Sequence, residues 1–188
     1  MIDIGTGDGR FVLDYAKKHS DTLVIGIDAC RDGLIEASQK ASKSEKRGGL
    51  TNASFVLSSI EALPADFCAV ADKITINYPW GSLLKAVTQP DAAIFRKIVG
   101  IGKPGCSLNM LINWSVFENT GYCERLGLPQ MTLADVDIKL RGAYHEAGVD
   151  IISWGIVEVK DSKTTWGQKL VKGSNRAVLS IEAVSARS

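Results

Sequence analysis

The chain begins with acids and glycines whose types and spacing fit the binding of a nucleoside-containing cofactor. Gly5, Gly7 and Gly9 alternate with polar residues directly after an apolar strand end, and Asp3 lies two positions before the first of them. Glycines at such a turn allow positive φ angles and let a ligand approach the main chain closely. A dinucleotide-binding turn places its third glycine three residues after the second, whereas Gly9 follows Gly7 by two. This spacing favours S-adenosylmethionine (SAM), because SAM has no pyrophosphate and Asp3 can meet its positively charged methionine end.

A second acid lies where a ribose-binding carboxylate is expected. Asp28 ends the apolar stretch 23–28, about 20 residues beyond the glycine turn. The glycines alone also fit a tight turn after a buried strand, but together with Asp28 they favour a nucleoside-containing cofactor. The loop 58–64 follows the next predicted strand. In a SAM-binding fold this loop lies beside the adenine, where a main-chain group or an acid reads the edge of the base.

Two tryptophans in polar loops are candidates for stacking on a nucleobase. Trp80 and Trp166 are each followed by a glycine and a polar residue, and a base that stacks on an aromatic ring gains about 1–3 kcal/mol. Enzymes that modify a base first take it out of its stack and hold it between such groups. The alternative is that each ring anchors its loop on the core. Core packing is what we expect for Trp114 and Trp154, which lie in or beside apolar strand patterns.

Basic residues form two local clusters although the net charge is only +1. The first cluster contains Lys40, Lys43, Lys46 and Arg47, and the second contains Lys160, Lys163, Lys169, Lys172 and Arg176. A solvated helix end is the alternative interpretation of the first cluster. Neither cluster has the interleaved aromatic residues of a single-strand binding groove, so a structured RNA recognised by its shape fits better.

The elements that position these residues alternate between strands and helices, which predicts an α/β fold with a mostly parallel seven-stranded sheet and helices on both faces. We expect one domain over residues 1–188, with 113–131 and 160–176 as loops or insertions on the substrate side. Residues 102–105 are predicted to form a turn and 133–147 a helix. The alternating stretch 176–184 predicts a closing edge strand.

Composition excludes several classes of protein. The four cysteines are widely spaced without a CxxC pair, and the two histidines add no zinc pattern, so we expect reduced thiols and no metal. No apolar run has membrane-spanning length, and no signal peptide opens the chain. These features predict a cytoplasmic monomer with no membrane contact. The chain begins inside its own predicted first strand.

Several motifs in the same order resemble those of the aminoglycoside-resistance 16S rRNA (adenine(1408)-N(1))-methyltransferases. They are the glycine turn Gly5-Thr6-Gly7-Asp8-Gly9-Arg10, Gly26-Ile27-Asp28, the basic stretch into Gly48-Gly49-Leu50, Glu61-Ala62-Leu63-Pro64, Pro79-Trp80-Gly81-Ser82-Leu83-Leu84, and Thr165-Trp166-x-x-Lys169-Leu170. The resemblance implies a Rossmann-like class I SAM-dependent methyltransferase that modifies the assembled 30S subunit at its decoding centre. Modification there weakens the binding of aminoglycosides such as kanamycin and apramycin.

The resemblance also assigns roles to residues. The SAM site is implied to consist of Asp3, Gly5, Gly7, Asp28, Ile60 and Glu61, with Pro79 and Ser82 at its edge. Trp80 and Trp166 are implied to sandwich the flipped adenine, with Thr164 helping to order the loop of the second tryptophan. Contacts with rRNA phosphates are implied for Lys169, Arg176 and the stretch Lys40, Lys43, Lys46 and Arg47. By this resemblance we expect the chain to lack the N-terminal β-hairpin of the family, and it has Gln168 and Ser174-Asn175 where relatives have basic residues. These departures concern the strength of rRNA binding more than the fold.

Transfer to adenine N1 needs no general base, because that nitrogen has a free lone pair in the neutral base. We expect catalysis by alignment and desolvation, with S-adenosylhomocysteine as the product. Three alternatives stay open. The first is methylation of an exocyclic amine, since Asn77-Tyr78-Pro79-Trp80 loosely resembles an amino-methyltransferase motif. The others are a methyltransferase for another RNA base or a small molecule, and a SAM-binding protein that has lost ribosome docking.

Overall fold

Strands and helices alternate along the chain in the computed structural model, which describes residues 1–90, 93–128, 130–157 and 177–186. The strands are β1 (Ile2–Ile4), β2 (Val24–Asp28), β3 (Ala53–Leu57), β4 (Ala71–Asn77), β5 (Gly102–Asn113), β6 (Val149–Val157) and β7 (Val178–Ser185). The α-helices are α1 (Arg10–Lys18), α2 (Arg31–Ala41), α3 (Gly81–Thr88), α4 (Ala93–Ile101), α5 (Thr120–Leu126) and α6 (Arg141–Glu146). The predicted alternation is confirmed.

The seven strands form one sheet in the order β3-β2-β1-β4-β5-β7-β6. β1 to β5 pair in parallel, and β7 pairs antiparallel with both β5 and β6. The chain order reverses at β1, which lies between β2 and β4, and ligands bind outside the carboxyl ends of the strands at such a switch point. This places the end of β1 at the centre of the expected binding edge.

Helices cover both faces of the sheet, and each face has its own apolar cluster. Val12 of α1 packs in a small cluster with Phe55 of β3. On the opposite face, Met110 of β5 belongs to a larger cluster with Phe95 of α4 and Tyr144 of α6, whose rings lie 4.5 Å apart. The mostly parallel α/β sheet with helices on both faces is therefore confirmed.

The prediction that the last strand forms the sheet edge is wrong. β7 lies between β5 and β6, with Leu179 and Ile181 fully buried, whereas β6 is the edge and exposes Ile152. Alternation of apolar and polar residues reports which face of a strand is buried. It carries no information about which strands pair along its two hydrogen-bonding sides, and so the position of β7 could not be inferred from it.

Three local features differ from the predicted elements or refine them. Residues 102–105 belong to the start of β5 rather than to a separate turn, and the register with β4 shifts there. The predicted helix 133–147 contains a π-helical turn at Val136–Leu140 before α6. The stretch 113–131 contains a short 3-10 helix (Trp114–Glu118) and α5. No helix in the described part of the chain combines the length and apolarity that a membrane crossing requires.

Candidate functional site

The glycine turn after β1 has the backbone geometry that its sequence predicts. Gly5, Gly7 and Gly9 have φ angles of 71°, 60° and 68°, in the left-handed region that side chains other than glycine rarely adopt. At Gly9 the neighbours also exclude a side chain, because a Cβ atom there would lie 2.5 Å from Cβ of Ala37. The turn is thus pressed against α2, and its main chain faces the carboxyl edge of the sheet.

Asp28 is bonded to the turn through both of its carboxylate oxygens. Oδ2 accepts a hydrogen bond of 2.7 Å from the N–H of Gly7, and Oδ1 accepts one of 2.7 Å from the N–H of Cys30. An ionised carboxylate has about four acceptor positions, so two such bonds leave capacity for ribose hydroxyls. Asp28, which is predicted to bind the ribose, therefore also stabilises the turn itself, a role that sequence reasoning missed.

Asp3 is a buried carboxylate at the end of β1, with only 1% of its surface exposed. Its Oδ1 accepts hydrogen bonds from Thr75 Oγ1 at 2.6 Å and from Asn77 Nδ2 at 3.0 Å. Burial raises the pKa of Asp3 to about 6, and the nearby charge of Asp28 acts in the same direction, while the hydrogen bonds oppose the rise. A buried negative charge beside a cavity fits a cationic ligand group, which would replace the hydration that burial removed.

A cavity of about 570 Å³ opens at this edge of the sheet, within the size range of small-molecule and cofactor sites. It is lined by all eight residues predicted to bind SAM, namely Asp3, Gly5, Gly7, Asp28, Ile60, Glu61, Pro79 and Ser82, and by Trp80. Lining residues that sequence reasoning did not single out include Cys30, Gly33 and Ile94. The lining combines the acids Asp3, Asp28 and Glu61 with apolar residues, which fits a ligand that has both charged groups and an adenine.

The loop after β3 is anchored from two sides. Ile60 is buried in the larger apolar cluster, whereas Glu61 is exposed at the cavity. Lys97 of α4 donates a hydrogen bond of 2.5 Å from Nζ to the main-chain oxygen of Glu61. This contact from another element fixes the main chain that is predicted to lie beside the adenine.

Trp80 lies at the rim of the cavity in an unusual stretch of main chain. Tyr78 has a φ of 54° and Gly81 a φ of 56°, and a left-handed tyrosine is rare. Trp80 itself is extended, precedes the first residue of α3, and exposes 52% of its surface. Its ring packs against Tyr122 of α5, with centroids 4.5 Å apart and an interplanar angle of 34°.

By contrast, Trp114 is buried in the core and Trp154 is partly buried against it, as predicted.

Four other predicted site residues, Trp166, Thr164, Lys169 and Arg176, lie outside the described residues, as does the rest of 160–176. The pairing of the two tryptophans around a base therefore stays a prediction.

The basic stretch at the end of α2 is solvent-exposed and folded into a defined turn. Lys40 pairs with Glu36 at 2.7 Å, while Lys43, Lys46 and Arg47 are exposed. The turn packs so tightly at Gly49 that only glycine fits there, because an added Cβ would lie 1.6 Å from the main-chain oxygen of Lys43. α2 has 11 residues, a length of about 16 Å, so the structure does not bring the basic stretch to the cavity. This separation fits a large ligand better than a small one.

Comparison with known proteins agrees with this geometry. The profile of the family described as NpmA: 16S rRNA (adenine(1408)-N(1))-methyltransferase matches residues 1–185. A 16S rRNA (adenine(1408)-N(1))-methyltransferase of Escherichia coli is 29% identical over 180 residues, which cover 94% of this chain and 82% of that protein.

Solved structures show the same similarity. The crystal structure of the aminoglycoside resistance methyltransferase NpmB1 is 41% identical with a TM-score of 0.86, covering 98% of this chain and 86% of the other. A mutant of the 16S rRNA (adenine(1408)-N(1))-methyltransferase from Catenulisporales acidiphilia, solved with the cosubstrate SAM, is 28% identical in sequence. Its structure matches with a TM-score of 0.88, and the match covers 98% of this chain and 84% of the other.

Proposed function

The chain belongs to the 16S rRNA (adenine(1408)-N(1))-methyltransferase family, and on that premise we propose that it methylates N1 of adenine 1408 in the 16S rRNA of the 30S subunit, using SAM. Aminoglycoside resistance is the expected consequence, since a structural relative is described as an aminoglycoside resistance methyltransferase. The observation that carries the proposal is the cavity at the end of β1, which the eight predicted SAM-binding residues and Trp80 line together.

The residues of the cavity fit SAM in charge and shape. SAM supplies the methyl group when it is bound. Asp3 offers a buried negative charge to the positively charged methionine end, Asp28 offers acceptors to the ribose, and the loop of Ile60 and Glu61 lies where the adenine is expected. The lining of the cavity thus supports the assignment of the cofactor residues, which remains a proposal.

The chain's contribution to the reaction is to place the target base. Adenine N1 has a free lone pair, so no side chain has to remove a proton first. Trp80 presents a half-exposed ring at the cavity rim, and we assign Trp166 to the other face of the flipped base. Holding N1 in line with the methyl group and excluding water supply the rate enhancement.

The assembled 30S subunit is proposed as the substrate, with the chain acting as a cytoplasmic monomer. Lys43, Lys46 and Arg47 form an exposed cationic surface at the far end of α2 from the cavity. A contact with phosphates at that distance from the reacting base requires a large, structured RNA, and it predicts binding that weakens with salt.

Methylation assays with purified 30S subunits, naked 16S rRNA and a small-molecule panel test the proposal. We expect 1-methyladenosine at position 1408 in 30S subunits and not in naked 16S rRNA, measured by nucleoside mass spectrometry and primer extension. A 6-methyladenosine product would support the exocyclic-amine alternative. Methylation of a small molecule alone, or SAM binding without any product, would contradict the proposal.

A further inference from the structure

Tyr122 is held firmly at the start of α5. Its main-chain N–H donates a hydrogen bond of 3.0 Å to Oδ1 of Asn119, which caps the helix. One residue later, Cys123 is buried and its thiol donates to the oxygen of Val116 at 3.4 Å. Burial raises the pKa of the Tyr122 phenol. The ring therefore extends from a helix that is anchored on the protein core.

The ring of Tyr122 packs against the ring of Trp80, with their centroids 4.5 Å apart. Trp80 exposes 52% of its surface and lies between left-handed residues on a loop. The guanidinium of Arg125, one turn along α5, lies 5.9 Å from the Tyr122 ring centroid, at a distance typical of a cation–π contact. Tyr122 thus links the loop of Trp80 to a helix that is 42 residues away in the sequence.

We propose that Tyr122 is a positioning residue for methyl transfer, whose ring backs Trp80 and fixes the plane on which the target base stacks. This inference rests on the proposed function. In-line transfer is sensitive to placement, and a misplacement of about 1 Å can reduce a rate about 100-fold. Trp80 lines the cavity whereas Tyr122 does not, so the contact between the two rings is the route by which Tyr122 acts.

The test compares Tyr122→Leu, which removes the ring, with Tyr122→Phe, which keeps it. We expect kcat on 30S subunits to fall at least about tenfold in Tyr122→Leu and to be restored to within about twofold in Tyr122→Phe. The Kd of SAM should stay within about twofold in both variants, because Tyr122 lies outside the cavity. Equal losses in the two variants, or full activity of Tyr122→Leu, would overturn the inference.

Combination with Trp80→Ala shows whether Tyr122 acts through Trp80. Residues in contact that act as a unit are not additive, so Tyr122→Leu should cause no further loss in the Trp80→Ala background. A full additional loss there would contradict the mechanism, because it would show that Tyr122 acts by another route.

A measurement without substrate keeps the inference separate from the proposed function. Acrylamide should quench tryptophan fluorescence more strongly in Tyr122→Leu than in the unsubstituted protein, and this difference should vanish when both carry Trp80→Phe. The inference is contradicted if Tyr122→Leu does not increase the quenching in the protein that keeps Trp80. It is also contradicted if the increase persists in the Trp80→Phe background. An unsubstituted protein that fails to methylate 30S subunits would instead refute the proposed function.

Discussion

The carboxylate of Asp28 accepts a hydrogen bond of 2.7 Å from the main-chain N–H of Gly7, so that the end of β2 fixes the glycine turn after β1. The other oxygen of Asp28 accepts from the N–H of Cys30 at the start of α2. One side chain therefore connects the turn, the second strand and the second helix at the place where the cofactor is proposed to bind.

Asp28→Asn tests this connection. Asparagine replaces one acceptor with a donor, so one of the two main-chain N–H groups loses its partner, at a cost of about 1 kcal/mol or more. We expect SAM to bind at least about tenfold more weakly by calorimetry, with a small loss of stability in urea. Asp14→Asn, on the exposed side of α1, is the matched control and should change neither. Unchanged SAM binding in Asp28→Asn would show that the carboxylate is dispensable.

Gly33→Ala and Gly142→Ala form a second matched pair. Both glycines lie in helices, where alanine is favoured by about 0.8–1 kcal/mol. A Cβ at Gly33 would lie 2.3 Å from the main-chain oxygen of Gly7, whereas one at Gly142 would have no atom within 4 Å. We expect Gly142→Ala to raise the free energy of unfolding and Gly33→Ala to lower it and to weaken SAM binding. Equal behaviour of the two variants would mean that α2 does not press on the turn.

The pKa of Asp3 predicts how SAM binding depends on pH. The positively charged end of SAM favours the ionised carboxylate, so affinity should be highest above pH 6 and fall about tenfold per pH unit below it. Calorimetry between pH 5 and pH 7 measures this, and Asp3→Asn should abolish the dependence. Thr75→Val removes a hydrogen bond that lowers the pKa of Asp3. In this variant the midpoint of the pH dependence of SAM binding should therefore move to higher pH. A pH-independent Kd in the unsubstituted protein would contradict the assignment of Asp3.

The same group affects the stability of the protein without SAM in the opposite sense. The folded state, with a pKa of about 6, binds a proton more tightly than the unfolded chain, with a pKa of 3.8. The free energy of unfolding should therefore fall as the pH rises from about 4 to about 6, by about 3 kcal/mol. Urea denaturation across this pH range measures the free energy of unfolding. The decrease should be absent in Asp3→Asn, because the variant has no carboxyl group to titrate at this position.

Trp80→Ala and Trp166→Ala test the stacking of the base. Loss of one stacking contact, about 1–3 kcal/mol, should reduce 30S methylation about 5- to 150-fold, with SAM binding little changed. Trp80→Phe and Trp166→Phe keep an aromatic face and should lose less. If both alanine variants methylate 30S subunits at the original rate, the sandwich is wrong.

The exposed cations at the end of α2 are expected to bind rRNA phosphate. Charge reversal in Lys46→Glu/Arg47→Glu should weaken 30S binding about tenfold or more and reduce its dependence on salt, while SAM binding stays unchanged. Lys17→Glu, an exposed cation on α1, is the control. Equal effects of the double variant and Lys17→Glu would indicate only a general charge effect.

Much of the site could be predicted because its residues lie where strands end. Asp3, Gly5, Gly7, Asp28, Ile60, Glu61 and Pro79 all lie at or just after the ends of predicted strands, at the same edge of a parallel sheet, and all of them line the cavity. The supporting residues could not be predicted in this way. Thr75 lies 72 residues from Asp3 along the chain, and neither its type nor its neighbours mark it as a partner of that carboxylate.

The sequence by itself determined the alternation of strands and helices, the class of cofactor and the residues at the ends of β1, β2, β3 and β4, because these follow from local spacing and from the rule that parallel strands end at one edge. Only the tertiary structure decided that β7 is an inner strand, that Gly33 presses on Gly7, and that Tyr122 backs Trp80. These features depend on contacts between segments far apart in the chain, and such contacts are set by the packing of whole elements rather than by any local pattern.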